Sequence, residues 1–71
     1  MVDMFPVASE RITEMGYDNE TATVYVRFTG GRSWQYRNVP EDVWQQFGAA
    51  PSKGRFIKDV LDHYEHGPAD I

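Results

Sequence analysis

The chain has 71 residues, a formal net charge of −4 and no cysteine, with 41% hydrophobic and 14% aromatic residues. That length holds one domain burying only about 60% of the surface its unfolded chain exposes, which argues against a deep catalytic cavity. The missing cysteine excludes disulfide staples, thiolate nucleophiles and cysteine-ligated zinc, and suits a reducing compartment.

The opening residues, Met1-Val2-Asp3-Met4-Phe5-Pro6, lack the basic region and apolar run of a signal peptide, and no stretch reaches bilayer-spanning length. A cytoplasmic location is therefore expected, with no membrane association and no cofactor. The excess of acid opposes indiscriminate attachment to nucleic acid through long-range repulsion.

From Arg11 to Tyr17, Thr13, Met15 and Tyr17 alternate with Glu14 and Gly16, the pattern of a half-buried strand. Ile12 breaks the alternation and predicts a bulge or a later strand start. Asp18-Asn19-Glu20-Thr21 is turn chemistry, because Asp and Asn bond their own backbone. Thr23 to Phe28 alternates most regularly, with Val24, Val26 and Phe28 on one face.

The link Thr29-Gly30-Gly31 fixes how that strand meets the next, Arg32 to Arg37. A two-residue turn at Gly30-Gly31 would pair Arg27 with Trp34. A three-residue loop with left-handed Gly31 pairs Val26 with Trp34 and Val24 with Tyr36, which gathers the apolar residues on one face. Binary patterning selects the second, leaving Tyr25, Arg27, Gln35 and Arg37 outside.

The second half reads as helical. Pro40 starts a helix whose apolar residues are Val43, Trp44 and Phe47, with Glu41 and Asp42 in its first turn, and Gly48 ends it. Ser52 is a ready N-cap for a second helix carrying Phe56, Ile57, Val60, Leu61 and Tyr64 on one stripe, with Lys58 and Asp62 as a surface i, i+4 pair. The reading is α+β: a three-stranded antiparallel meander followed by two helices on one face, a two-layer sandwich over residues 6–65, with 1–5 and 66–71 as flexible termini.

The series Ser9, Ile12, Gly16-Tyr17-Asp18, Val24-x-Val26-x-Phe28, Gly31, Trp34-x-Tyr36, Val39-Pro40, Val43-Trp44, Phe47, Ala50 and Ser52-x-Gly54-x-Phe56 resembles the KTSC domain. That family is named for the C-terminal extension of some bacterial lysyl-tRNA synthetases and includes stand-alone small bacterial and phage proteins. The resemblance runs from about Pro6 to Tyr64, with the central tyrosine-x-tyrosine signature present as Trp34-Gln35-Tyr36. It implies a fold more than a chemistry, and RNA or tRNA binding is what the synthetase attachment suggests.

Three groups of residues are candidates for a site. Ser52, Lys53, Gly54 and Arg55 open the second helix, where free backbone donors, a glycine and two cations could hold a phosphate or carboxylate; an ordinary N-cap is the favoured reading, because it accounts for Ser52 without any ligand. Tyr25, Arg27, Gln35 and Arg37 on the outer sheet face resemble, in composition only, a platform for unpaired bases, although a strand face with arginines is most often simply solvated; Tyr25, Arg27 and Arg37 with Lys53 and Arg55 are the candidate polyanion-binding set. Residues 1–38 carry four arginines against five acids and residues 39–71 three bases against six, so the sheet half repels a polyanion less. His63 and His66, at i, i+3, could share a helical face, but two ligands near a chain end make a poor metal site and read better as solvated. No nucleophile motif accompanies Ser9, Ser33 or Ser52, and no enzymatic activity is expected. The competing expectation is a protein-interaction or self-association module using an exposed aromatic such as Trp44, or a free sheet edge, on a chain otherwise expected to be monomeric.

Overall fold

The structure, a computed structural model, describes residues 2–71. Five strands run in chain order across one antiparallel sheet: β1 (Met4–Pro6), β2 (Ile12–Asp18), β3 (Thr23–Phe28), β4 (Ser33–Tyr36) and β5 (His66–Pro68). Helices α1 (Glu41–Ala49) and α2 (Lys53–Asp59) and a 3₁₀ turn (Leu61–His63) fill the connection from β4 to β5. No helix is long and apolar enough to cross a membrane among the described residues.

The α+β class and the two helices match the sequence pattern; the strand count does not. β1 and β5 lie partly or wholly in the segments expected to be loose termini, where three-residue strands carry too little periodicity to be read. Their pairing is tertiary. Met4 to Pro6 lies against Gly16 to Glu14, and His66 to Pro68 against Tyr36 to Trp34.

The hairpin between β3 and β4 follows the apolar pattern, with Val24 opposite Tyr36 and Val26 opposite Trp34. Gly31 has φ +92°, in the left-handed region, and the Gly31 amide donates to the Phe28 carbonyl at 2.8 Å. The register of β2 against β3 shifts between Ile12 and Glu14. This bulge turns Ile12 fully into the core and leaves Thr13 exposed, so Thr13 does not share a face with Met15. Asp18 Oδ1 accepts from the Glu20 amide at 3.0 Å, closing the next turn.

Met15, Val24, Val26 and Tyr36 from the sheet meet Phe47 of α1, Ile57 of α2 and Leu61 of the 3₁₀ turn in one cluster with Ile12 and Val39. The helices therefore cover one face of the sheet. Trp44 belongs to this layer: its ring stacks on Tyr17 at 5.3 Å and meets Phe47 edge-on at 6.1 Å. The second helix is shorter than its apolar stripe suggests. Val60, at φ −122°, ψ −60°, leaves α-helical geometry, and the 3₁₀ turn after it keeps Leu61 in the core while redirecting the chain to β5.

Gly16 is buried opposite Met4 in the β1–β2 ladder. A Cβ there would lie 2.6 Å from the Asp3 carbonyl oxygen and 2.8 Å from Met4 Sδ. Backbone cannot give way as a side-chain tip can, so Gly16→Ala is expected to push β1 off the sheet and to cost about 1–3 kcal/mol, a typical overpacking penalty. Thermal denaturation together with the amide shifts of Met4 and Phe5 checks this. Gly30→Ala, where nothing lies within 4 Å of an added Cβ, is the control.

Candidate anion-binding cleft

The cations singled out in the sequence do not converge. Arg27, on the outer sheet face with half-buried Tyr25, has Nη1 at 2.6 Å from Glu14 Oε1, and its Nε donates to Ser33 Oγ at 3.4 Å. Arg37 pairs with Glu65 at 3.2 Å and Arg55 with Asp59 at 3.8 Å. Lys53 Nζ donates to the carbonyls of Gly48, at 3.1 Å, and Ala50, at 2.7 Å, supplying the cation that the C-terminal end of α1 lacks in its own sequence. Ser52 Oγ accepts from the Arg55 amide at 3.3 Å, as a helix cap does.

Arg11, Arg32 and Lys58 are the remaining cations, and none forms an ion pair among the described residues. All three line one open cleft of about 770 Å³. Phe28, Trp34 and Tyr36 of the sheet form one side, Gly54 and Ile57 of α2 the other, and Asp62 and His66 complete the wall. The volume lies in the range of small-ligand sites. Three cations against one carboxylate give the cleft the opposite sign to the whole chain.

Local structure aims Arg11 into this space. Ser9 Oγ accepts from the Arg11 amide at 3.2 Å, and the Arg11 carbonyl accepts from the Thr29 amide at 3.0 Å, tying its loop to the β3–β4 hairpin that carries Arg32. Across the cleft, a Cβ on Gly54 would stand 3.3 Å from Arg11 Cβ and Cγ. Gly54 thus makes room for the Arg11 stem.

Lys58 and Asp62 do not form the expected helical pair. α2 ends at Asp59, so Asp62 leaves the i, i+4 geometry and the two groups face the cleft separately. The helical face shared by His63 and His66 is absent for the same reason: His63 sits in the 3₁₀ turn and His66 in β5. The His66 Nδ1 lies 2.8 Å from the Tyr64 carbonyl oxygen, where it acts as donor.

The floor of the cleft holds a hydroxyl with no protein partner among the described residues. Tyr36 is 1% exposed and lines the cleft, yet its hydroxyl makes no hydrogen bond among the described residues. Among the described residues no side-chain polar atom is both fully enclosed and unpartnered, so this oxygen is reached from the cleft that Tyr36 lines. The Tyr17 hydroxyl, in contrast, donates to the Val39 carbonyl at 2.6 Å.

Residues 8–64 match the model of the KTSC domain. The chain belongs to the KTSC domain family. A protein of Tsukamurella paurometabola is 40% identical over 58 residues, covering 82% of this chain and 87% of its own. An uncharacterized protein of Stutzerimonas stutzeri is 33% identical over 64 residues, covering 87% and 90%. The crystal structure of a KTSC domain protein from Yersinia pestis superposes with a TM-score of 0.92 at 32% identity, over 99% of this chain and 100% of that one. Of the positions that carry the resemblance, Ser9 and Gly54 both place Arg11 in this KTSC domain, and Tyr36 is the second residue of the aromatic signature.

Burial first, then the nearby Asp62 carboxylate, raises the Tyr36 pKa well above its ordinary value of 10.0. Burial and the Glu41 and Asp42 carboxylates raise that of Tyr17. A phenol whose folded-state pKa is raised contributes stability that is whole below the unfolded value and is lost as pH rises past it. Urea midpoints are therefore expected to hold up to about pH 10 and to drop above it, and Tyr36→Phe is expected to drop less, retaining only the Tyr17 part.

Proposed function

We propose that this KTSC domain is a non-catalytic module that binds single-stranded RNA in the cleft between β4 and α2. The supporting observation is that, among the described residues, the lysine and arginine side chains without an acidic or carbonyl partner, Arg11, Arg32 and Lys58, converge on a cleft lined by Phe28, Trp34 and Tyr36. Cations supply backbone affinity and aromatic faces stack unpaired bases, the two components of single-strand recognition. Tyr25, Arg27, Arg37, Lys53 and Arg55, with their own partners or outside the cleft, are assigned no direct role. The serines support a non-catalytic reading: Ser9 and Ser52 accept from backbone amides and Ser33 accepts from Arg27.

The competing protein-interaction reading draws on Phe5, 46% exposed and packed edge-on against Trp44 at 5.9 Å. One exposed ring is ordinary for a small domain. Both sheet edges are three-residue strands ending in a proline, Pro6 and Pro68, a composition that discourages strand addition.

Titration with labelled single-stranded RNA, followed by backbone amide shifts and Trp fluorescence, tests the assignment. Shifts at Arg11, Arg32, Trp34 and Lys58, with little change at Arg27 and Arg55, are expected. No shift in the cleft at high micromolar RNA and low salt overturns it.

A further inference from the structure

Asp62 is out of place in a cleft built for anions. Its carboxylate has no ion-pair or hydrogen-bond partner among the described residues, although Lys58 lines the same space. Toward a phosphate it is only repulsive; toward a ligand that also carries N–H donors it is an acceptor. Beside it lies the opposite group, the Tyr36 hydroxyl, a donor that is almost fully buried, unpartnered and open to the cleft. A hydroxyl held rigidly by the core and open only on the cleft side presents its donor in one fixed direction, so a ligand acceptor that replaces water there gains an oriented contact.

We propose that the cleft floor reads the edge of an unpaired guanine, with the Tyr36 hydroxyl donating to O6 and the Asp62 carboxylate accepting from N1–H and N2–H. The inference rests on the RNA-binding reading and adds the identity of the base. Guanine fits best because it alone offers a carboxylate two adjacent donors beside a carbonyl acceptor, whereas uracil offers a single N–H. Trp34 supplies the neighbouring aromatic surface, and Arg11, Arg32 and Lys58 are left for the phosphates on either side. Electrostatics keep the donor in the required form: burial and the Asp62 charge both favour the protonated phenol.

Two pentanucleotides, UUGUU and UUUUU, titrated against the intact chain at low salt separate the possibilities. UUGUU is expected to bind about tenfold more tightly, the lower range of discrimination from a bidentate base contact. Asp62→Asn is expected to erase that preference by weakening UUGUU while leaving UUUUU unchanged or tighter, since a repulsive charge has gone. Tyr36→Phe is expected to weaken UUGUU without lowering the unfolding midpoint at neutral pH, which separates loss of a ligand contact from loss of fold. Equal affinity for the two pentamers, or equal tightening of both by Asp62→Asn, overturns the base assignment and leaves RNA binding standing. Failure of both pentamers to bind the unaltered chain overturns both.

Discussion

Replacing Phe47 with alanine is expected to remove a large share of the stability of the domain. Phe47 is fully buried, stacks on Phe56 at 5.3 Å and meets Trp44 edge-on, so it joins α1 to α2 as well as to the sheet. Removing a buried phenyl ring costs about 3–5 kcal/mol, from lost transfer energy plus the cavity left behind. At roughly 0.05–0.15 kcal/mol per residue, a chain of this size holds about 4–11 kcal/mol in total. Phe56→Ala is expected to cost less because Phe56 is only half-buried. Urea titration with near-ultraviolet circular dichroism ranks the two, and equal midpoints would show that the ring is not the keystone its burial indicates.

The second large effect concerns binding. Each cation that neutralises a phosphate of a single strand contributes a slope of about −0.7 in log K against log salt, so three give roughly −2 and an affinity loss of about tenfold or more between 50 and 200 mM salt. Arg11→Ala, Arg32→Ala and Lys58→Ala combined are expected to flatten that slope toward zero and abolish measurable binding. The triple variant Arg27→Ala, Arg37→Ala, Arg55→Ala removes the same charge but is expected to retain most of it, because those side chains already answer to Glu14, Glu65 and Asp59. Equal losses in the two triple variants would mean that only overall charge matters.

The contrast between these sets shows where sequence reading reaches its limit. Period-2 patterning and the length of one loop set the β3–β4 register correctly, since slipping one residue would expose Trp34 and Tyr36 together. The break at Ile12 marked the bulge, and Ser52 marked a cap. Charge was harder to place. Arg27 alternates within a strand and so stood out, but cross-strand Glu14 is 13 positions away in the chain and becomes its partner only through the fold. Arg11 and Arg32 lie in loops, where no periodicity assigns a direction, and the missing signal was the absence of an acid positioned to claim them.

Other features lay beyond local reading for different reasons. Ala22 has φ +54°, and its carbonyl accepts from the Val39 amide at 2.8 Å. An alanine in the left-handed region is held there by tertiary contact, and its chemistry gives no hint of it. Val60 likewise looks helical by spacing, yet the need to bring the chain back beside β4 ends α2 before it.

That return has a thermodynamic side. β5 is an edge strand of three residues, held through the Glu65 carbonyl, which accepts from Arg37, and the Ala69 amide, which donates to Ser33. Short edges open locally at far lower free energy than a core. Since His66 in that strand forms part of the cleft wall, opening the edge dismantles the site, and a ligand resting on His66 holds the edge shut. Occupancy and strand attachment are then one coupled equilibrium, visible as slower hydrogen exchange at the Arg37 and Ala69 amides when the cleft is filled.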